Sequence, residues 1–203
     1  MPAVLLVRHG QASFGADDYD VLSELGREQA RVVGREIARR GLRDPVLVCG
    51  TLRRQRDTAL ELGLGEPHVD GRWDEYDHMG LLERYPSGTP TDTSSRGVQD
   101  LLDAALLAWV RDQAGGWDAF SGGAAAALEA ASVPGRDAVV VTSGGIIAAV
   151  AARLLSGGPE TVVALNRVSA NAAVSTVVVG RSGASLVSYN DHAHLDRALL
   201  TYR

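Results

Sequence analysis

Cysteine is nearly absent. Cys49 is the single example among 203 residues, so no intrachain disulfide can form, and a reducing, cytoplasmic setting is expected. Long hydrophobic runs are missing as well. The N-terminal run Ala3 to Val7 ends in Arg8 and His9, too soon for a signal peptide or a membrane span, and reads as a buried strand. Positive charge is not in excess: the net charge is −5, which argues against a nucleic-acid surface overall and leaves room only for a local basic patch. The five histidines are scattered and lack ligand spacing, so no metal is expected. Gly144 and Gly145 follow a strand-like run but lack the Gly-x-Gly-x-x-Gly spacing, which excludes a nicotinamide or flavin and leaves no cofactor expected. No internal repeat or domain-scale linker interrupts the chain.

What is present is ordinary globular material, 45% apolar and 22% charged, sufficient for one α/β domain or one with a small cap. Short apolar runs alternate with helical patterns. Ala3 to Val7, Val46 to Cys49 and Ala138 to Thr142 predict buried strands. Ser23 predicts the cap of a helix that stops near Gly41, with Leu25, Val33, Ile37 and Ala38 near one face. Thr51 is the expected cap of a helix carrying Arg53, Arg54, Arg56 and Thr58. Gly97 to Ala114 and Trp117 to Ala131 predict two more helices, in which Ala124 to Ala127 reads as solvent-side filler. A further helix is expected from about Ile146, and Pro159 suits the first residue of another. Ala172 to Val179 and Ala184 to Ser188 predict a hairpin turning at Arg181, Ser182 and Gly183. Apolar strands between helices imply a mostly parallel central sheet covered on both faces, a three-layer α/β/α sandwich. Residues 1–203 are read as a single domain. Within it, 79–96 holds Pro86, Gly88 and Pro90 and is expected to be a surface excursion, either a lid or an inert loop; His68 is expected in a loop.

Two segments carry chemistry. Arg8, His9 and Gly10 stand at the carboxyl end of the first strand, where ligands sit in open α/β sheets. Arg54 comes from a helix start directly after another strand. Two arginines and a helix N-terminus make a suitable cradle for a phosphoryl group, while Arg53 and Arg56 read as a solvated face.

These motifs resemble the histidine phosphatases, the superfamily of the cofactor-dependent phosphoglycerate mutases. The resemblance rests on Arg8-His9-Gly10; on Leu22, Ser23, Gly26, Gln29 and Ala30; on Leu52, Arg54, Thr58 and Ala59; on the Trp73 to His78 segment; and on Asn171 and the Asn190 to Leu195 tail. It implies a phosphoglycerate mutase-like fold and a phosphomonoester hydrolase acting through a phosphohistidine. His9 would be the nucleophile, Arg8 and Arg54 would hold the phosphoryl oxygens, and Glu75 would be the acid and base, with Asp77 in reserve. The arginines would keep His9 neutral, and burial would raise Glu75. A small phosphorylated substrate is the implied partner, with no nucleic acid and no membrane; a homodimer is left open.

One position departs from the family. Where a second histidine is usual, the chain has Ser143, followed by Gly144 and Gly145. Serine still donates, but as a neutral group, and losing one such donor can cost roughly 2.7–4 kcal/mol of transition-state stabilisation. Ser143 and the Gly144 amide are the further phosphate-binding candidates, and His78, His192 and His194 could take the vacant role. The substitution keeps a second reading open, a non-catalytic phospholigand-binding protein. A phosphosugar mutase is disfavoured, because the Trp73 to His78 segment lacks the mutases' Glu-Arg-x-Tyr-Gly signature.

Overall fold

The computed structural model describes residues 1–13, 20–86 and 95–202, with the side chains of Ser95 and Arg96 outside that set. Among the described residues six strands form one sheet in the order β3-β2-β4-β1-β5-β6. The first four in that order, the two-residue β3 (His68–Val69), β2 (Val46–Cys49), β4 (Ala138–Thr142) and β1 (Ala3–Arg8), run parallel, whereas the hairpin β5 (Val174–Gly180) and β6 (Gly183–Asp191) continues the sheet antiparallel. His68 is therefore a strand residue rather than a loop residue, paired with Val48 at the sheet edge.

Alternation along the strands builds two cores. Leu5, Val7, Leu47, Cys49, Val139 and Val141 face α1 (Glu24–Arg39) and α2 (Arg53–Glu61), while Val4, Leu6, Ala138 and Val140 face α5 (Trp117–Ala131) and α6 (Gly144–Leu154). That is the three-layer arrangement expected of strands buried on both sides. Cys49 lies inside the first core, where burial pushes its thiol up to about 11 and leaves it inert.

Local rules account for most helix boundaries. Ser23 caps α1 by accepting from the Gly26 amide, a contact of the kind worth about 1 kcal/mol. The buried stripe of α1 is Gln29, Ala30, Val33, Gly34 and Ile37; Ala38 is exposed and Leu25 only half-buried, because the apolar stripe follows the 3.6-residue turn away from both. Gly26 packs so closely on the turn after β1 that a Cβ at Gly10 would overlap the Gly26 carbonyl. The same contact anchors the start of α1 beside His9.

Three expectations are corrected. Thr51 does not cap α2, whose flanking residue is Leu52; Asp20, far off in sequence, accepts from the Arg53 amide at 2.7 Å and the Arg54 amide at 3.3 Å, and the Thr51 hydroxyl donates to Asp74 instead. Ala124 and Ala127 belong to the core, since their small side chains let α5 lie close against the sheet layer. The excursion is helical at its start: α3 spans His78–Arg84, with the Asp77 carboxylate accepting from the Met79 and Gly80 amides. Residues 87–94 of the excursion lie outside the described residues.

The chain then continues through α4 (Ser95–Arg111), which starts two residues before Gly97 and ends three before Ala114. Helix α6 starts at Gly144, two residues before Ile146, and Pro159 opens α7 (Pro159–Val168) as expected. Helix α6 is buried from Gly144 to Ala152, and α5 and α7 pack against it. No helix among the described residues is long and apolar enough to cross a membrane.

Candidate active site

The carboxyl ends of β1, β2 and β4 converge on one cleft of about 330 Å³, which contains Arg8, His9, Arg54, Glu75 and Gly144. His9 leaves β1 with its amide donating to the Thr142 carbonyl of β4 at 2.9 Å, and its own carbonyl accepts from Asn171 Nδ2 at 3.2 Å. The ring is held from both sides. Nδ1 lies 2.7 Å from the Gly10 carbonyl, and a carbonyl only accepts, so Nδ1 carries the hydrogen. Nε2 then holds the lone pair, and it accepts from Arg54 Nε at 3.2 Å. Burial, and after it the charges of Arg8 and Arg54, hold the imidazole well below its ordinary value, against the opposing pull of the Gly10 carbonyl. The ring is thus a neutral base with its lone pair at Nε2.

Arg54 is buried and doubly oriented. Its Nη1 pairs with Asp20 Oδ1 at 2.7 Å, the same carboxylate that caps α2. Arg8 donates from Nη1 to the carbonyls of Ser169 and Tyr202, which ties it to the turn before β5 and to the C-terminal tail.

Glu75 projects from the segment after a 3-10 turn at Gly71–Trp73. Its Oε2 accepts from the Gly145 amide at 2.9 Å, and a Cβ on Gly145 would overlap both Oε1 and the Tyr76 ring, so any other residue would push these two side chains aside. Although Glu75 keeps some accessible surface, atoms crowd it, and this burial raises its pKa over the lowering effect of the Gly145 and Tyr76 amides and the two arginines. Its acidic neighbours are occupied elsewhere: Asp74 binds the Thr51 amide and hydroxyl, and Asp77 caps α3.

Ser143 flanks the start of α6 but is fully buried and off the cleft lining; Gly144, the next residue, lines it. The Ser143 hydroxyl accepts from Gln55 Nε2 at 2.8 Å. The second Nε2 hydrogen goes to the Trp73 carbonyl at 3.0 Å, which also accepts from Thr142 Oγ1 at 2.6 Å. Gln55 therefore joins α2, the Glu75 segment and the start of α6. Of the three histidines that could take the vacant role, His78 lines the cleft, whereas His192 and His194 bind backbone carbonyls of Asn190 and Ala172 near the tail and stand outside it.

Several lining residues escape a sequence reading: Tyr76, Met79, Leu82, Gln99, Asn166 and Arg167. Tyr76 lies in the Trp73 to His78 segment just before α3; the others come from α3, α4 and α7, and no motif marks them. Asp77 as a helix cap is the one local signal that could have placed α3 at the site.

Comparison with known proteins agrees with this geometry. The model of the histidine phosphatase superfamily (branch 1) matches residues 4–192. An acid phosphatase of Mycobacterium tuberculosis is 31% identical over 124 residues, covering 51% of this chain and 61% of that protein, so the match spans less than two thirds of that relative. A mycobacterial glucosyl-3-phosphoglycerate phosphatase, solved with VO3, is 26% identical with a TM-score of 0.65 over 95% of this chain and 100% of its own. A phosphoserine phosphatase mutant from Entamoeba histolytica, solved with phosphoserine, shares the fold at a TM-score of 0.67 and 19% identity, over 97% of this chain and 100% of its own. With a family model covering nearly its whole length, the chain belongs to the histidine phosphatase superfamily, branch 1.

Proposed function

We propose that the protein hydrolyses small phosphomonoesters through a phosphohistidine on His9. The observation that carries this reading is the tautomer. The Nδ1 hydrogen is committed to the Gly10 carbonyl, so the lone pair stands at Nε2, beside Arg54 and in the same cleft as Glu75.

In the proposed sequence an incoming phosphate takes Arg54 Nε–H away from Nε2. Arg8, Arg54 and the Gly144 amide hold its oxygens, as a helix N-terminus and two guanidiniums favour. Nε2 attacks phosphorus, the bond from phosphorus to the ester oxygen breaks, and the Glu75 proton passes to the leaving oxygen. Water then gives a proton to Glu75 and attacks phosphorus; the P–N bond breaks, returning the lone pair to His9. The raised pKa of Glu75 and the lowered pKa of His9 suit these opposite roles. Ser143 contributes by fixing the start of α6 through Gln55, with its own hydroxyl hydrogen left to donate.

Ser143 also favours a second reading, a phospholigand-binding protein without turnover, because a neutral buried hydroxyl supplies less stabilisation than an imidazole. Phosphate release from a phosphomonoester panel, with wild type beside His9→Ala, separates the two. Release that depends on His9 supports the hydrolase. Binding of inorganic phosphate without release from any ester supports the binding protein.

A further inference from the structure

The cleft has two halves. The floor holds the phosphate-handling groups described above. The outer half is walled by Met79 and Leu82 of α3 and by Val98 and Leu102 of α4, with Tyr76 beside them. Met79 is 59% exposed and Val98 is 37% exposed, so two large apolar side chains stand open to water at this mouth. Singly these mean little, but lining one cleft together with Leu82 and Leu102 they form a surface that an apolar ligand would cover.

Charge in the outer half points the same way. Among the described residues its one arginine is Arg167, and that guanidinium is committed. It pairs with the buried carboxylate of Asp103 and lies 3.6 Å from Asp100. Gln99 spends its amide nitrogen on Asp103 as well, at 2.8 Å. The charge of Arg167 is thus matched by two carboxylates, so a second anionic group on a ligand would compete with Asp100 and Asp103 for it. Burial, and then Arg54, hold the His78 imidazole below its ordinary value against the opposing pull of Asp77, and so disfavour its charged form.

We infer that this cleft selects phosphomonoesters of uncharged, largely apolar alcohols and phenols over those whose leaving group carries a carboxylate. The inference rests on the phosphatase reading of the same site and adds the class of leaving group. It separates this chain from relatives named for phosphoserine or a phosphoglycerate, both of which carry a carboxylate.

Phosphonates test it without requiring turnover. Dissociation constants would be measured by calorimetry for methyl-, propyl-, butyl- and hexylphosphonate and for 3-phosphonopropionate. Each methylene that enters the wall should tighten binding up to about fourfold, so hexylphosphonate should bind about tenfold or more tighter than methylphosphonate. The carboxylate of 3-phosphonopropionate should weaken binding relative to propylphosphonate. Met79→Lys, at an exposed position, should narrow or reverse that last difference. A flat series, or tighter binding of 3-phosphonopropionate by wild type, would overturn the inference. Turnover of hexyl phosphate, followed in parallel, keeps the two readings apart. Chain-length-dependent binding without hydrolysis upholds the cleft's selectivity and sinks the hydrolase, whereas hydrolysis with a flat binding series does the reverse.

Discussion

Arg54 Nε donates to His9 Nε2 at 3.2 Å, so the guanidinium proposed to hold the phosphate rests on the lone pair of the proposed nucleophile. The contact lowers the imidazole's affinity for a proton, and in the proposed sequence it gives way when a phosphoryl oxygen accepts the same hydrogen. Arg54 lowers the pKa of both His9 and Glu75, behind burial and Arg8 in the first case and behind burial and two backbone amides in the second.

A pH profile follows from these signs. His9 must be neutral, so activity rises as pH passes its lowered pKa; Glu75 must begin protonated, so activity falls as pH passes its raised pKa. The optimum is expected on the acidic side of neutrality. Arg54→Gln removes a lowering influence from both groups and should move both limbs of kcat/KM to higher pH. Limbs that stay in place would contradict the coupling.

Asp20 joins two functions in one carboxylate, capping α2 and orienting Arg54. Asp20→Ala should cost about 1 kcal/mol of stability through the cap. It should also lower kcat/KM by about tenfold, within the range that a displaced catalytic group can cost. Asp20→Asn, which can still accept from the amides, should restore most of the stability and less of the activity. Chemical denaturation beside kinetics checks the split; equal recovery of both would argue against an orienting role.

Ser143 gives a different signature. Ser143→Ala leaves a buried N–H of Gln55 without its acceptor, at a cost of about 1–3 kcal/mol in stability. The effect on kcat/KM should be smaller than for Arg54→Gln, because Ser143 does not line the cleft. A large kinetic loss with unchanged stability would instead make the hydroxyl a direct phosphate ligand.

Glu75 should show its role through leaving-group dependence. With an aryl phosphate, whose phenolate departs without a proton, Glu75→Gln should still phosphorylate His9 but stall at hydrolysis. Rapid mixing should then show a burst of phenol followed by turnover slowed by about 10²–10⁴-fold. Turnover at the wild-type rate would remove Glu75 from the mechanism.

The sheet and the gathering of Arg8, His9 and Arg54 at one cleft were legible in the sequence because short-range rules govern them. Fully apolar strands such as Val4 to Val7 and Val139 to Val141 admit only a sheet covered on both faces; Arg8 ends β1, His9 follows it, and Arg54 lies in the first turn of the helix after β2. The remainder depends on contacts between distant residues. Asp20 caps a helix that begins at Arg53, Gln55 reaches Ser143, and α3 and α4 bring Met79 and Val98 to one mouth. Hydrophobic periodicity marks none of these, since a carboxylate or an amide in a loop looks the same whether it meets water or a partner far along the chain. Ala124 and Ala127 were misread for a related reason: an alanine's burial is decided by what packs on it.

The central claim is the covalent intermediate, and rapid quench tests it most directly. Wild-type protein mixed with a ³²P-labelled phosphomonoester and stopped within one turnover should carry acid-labile, base-stable label. Peptide mapping should place that label on His9, and His9→Ala should carry none and release no phosphate. Release of phosphate by wild type with no label at any quench time, together with full turnover by His9→Ala, would contradict the account.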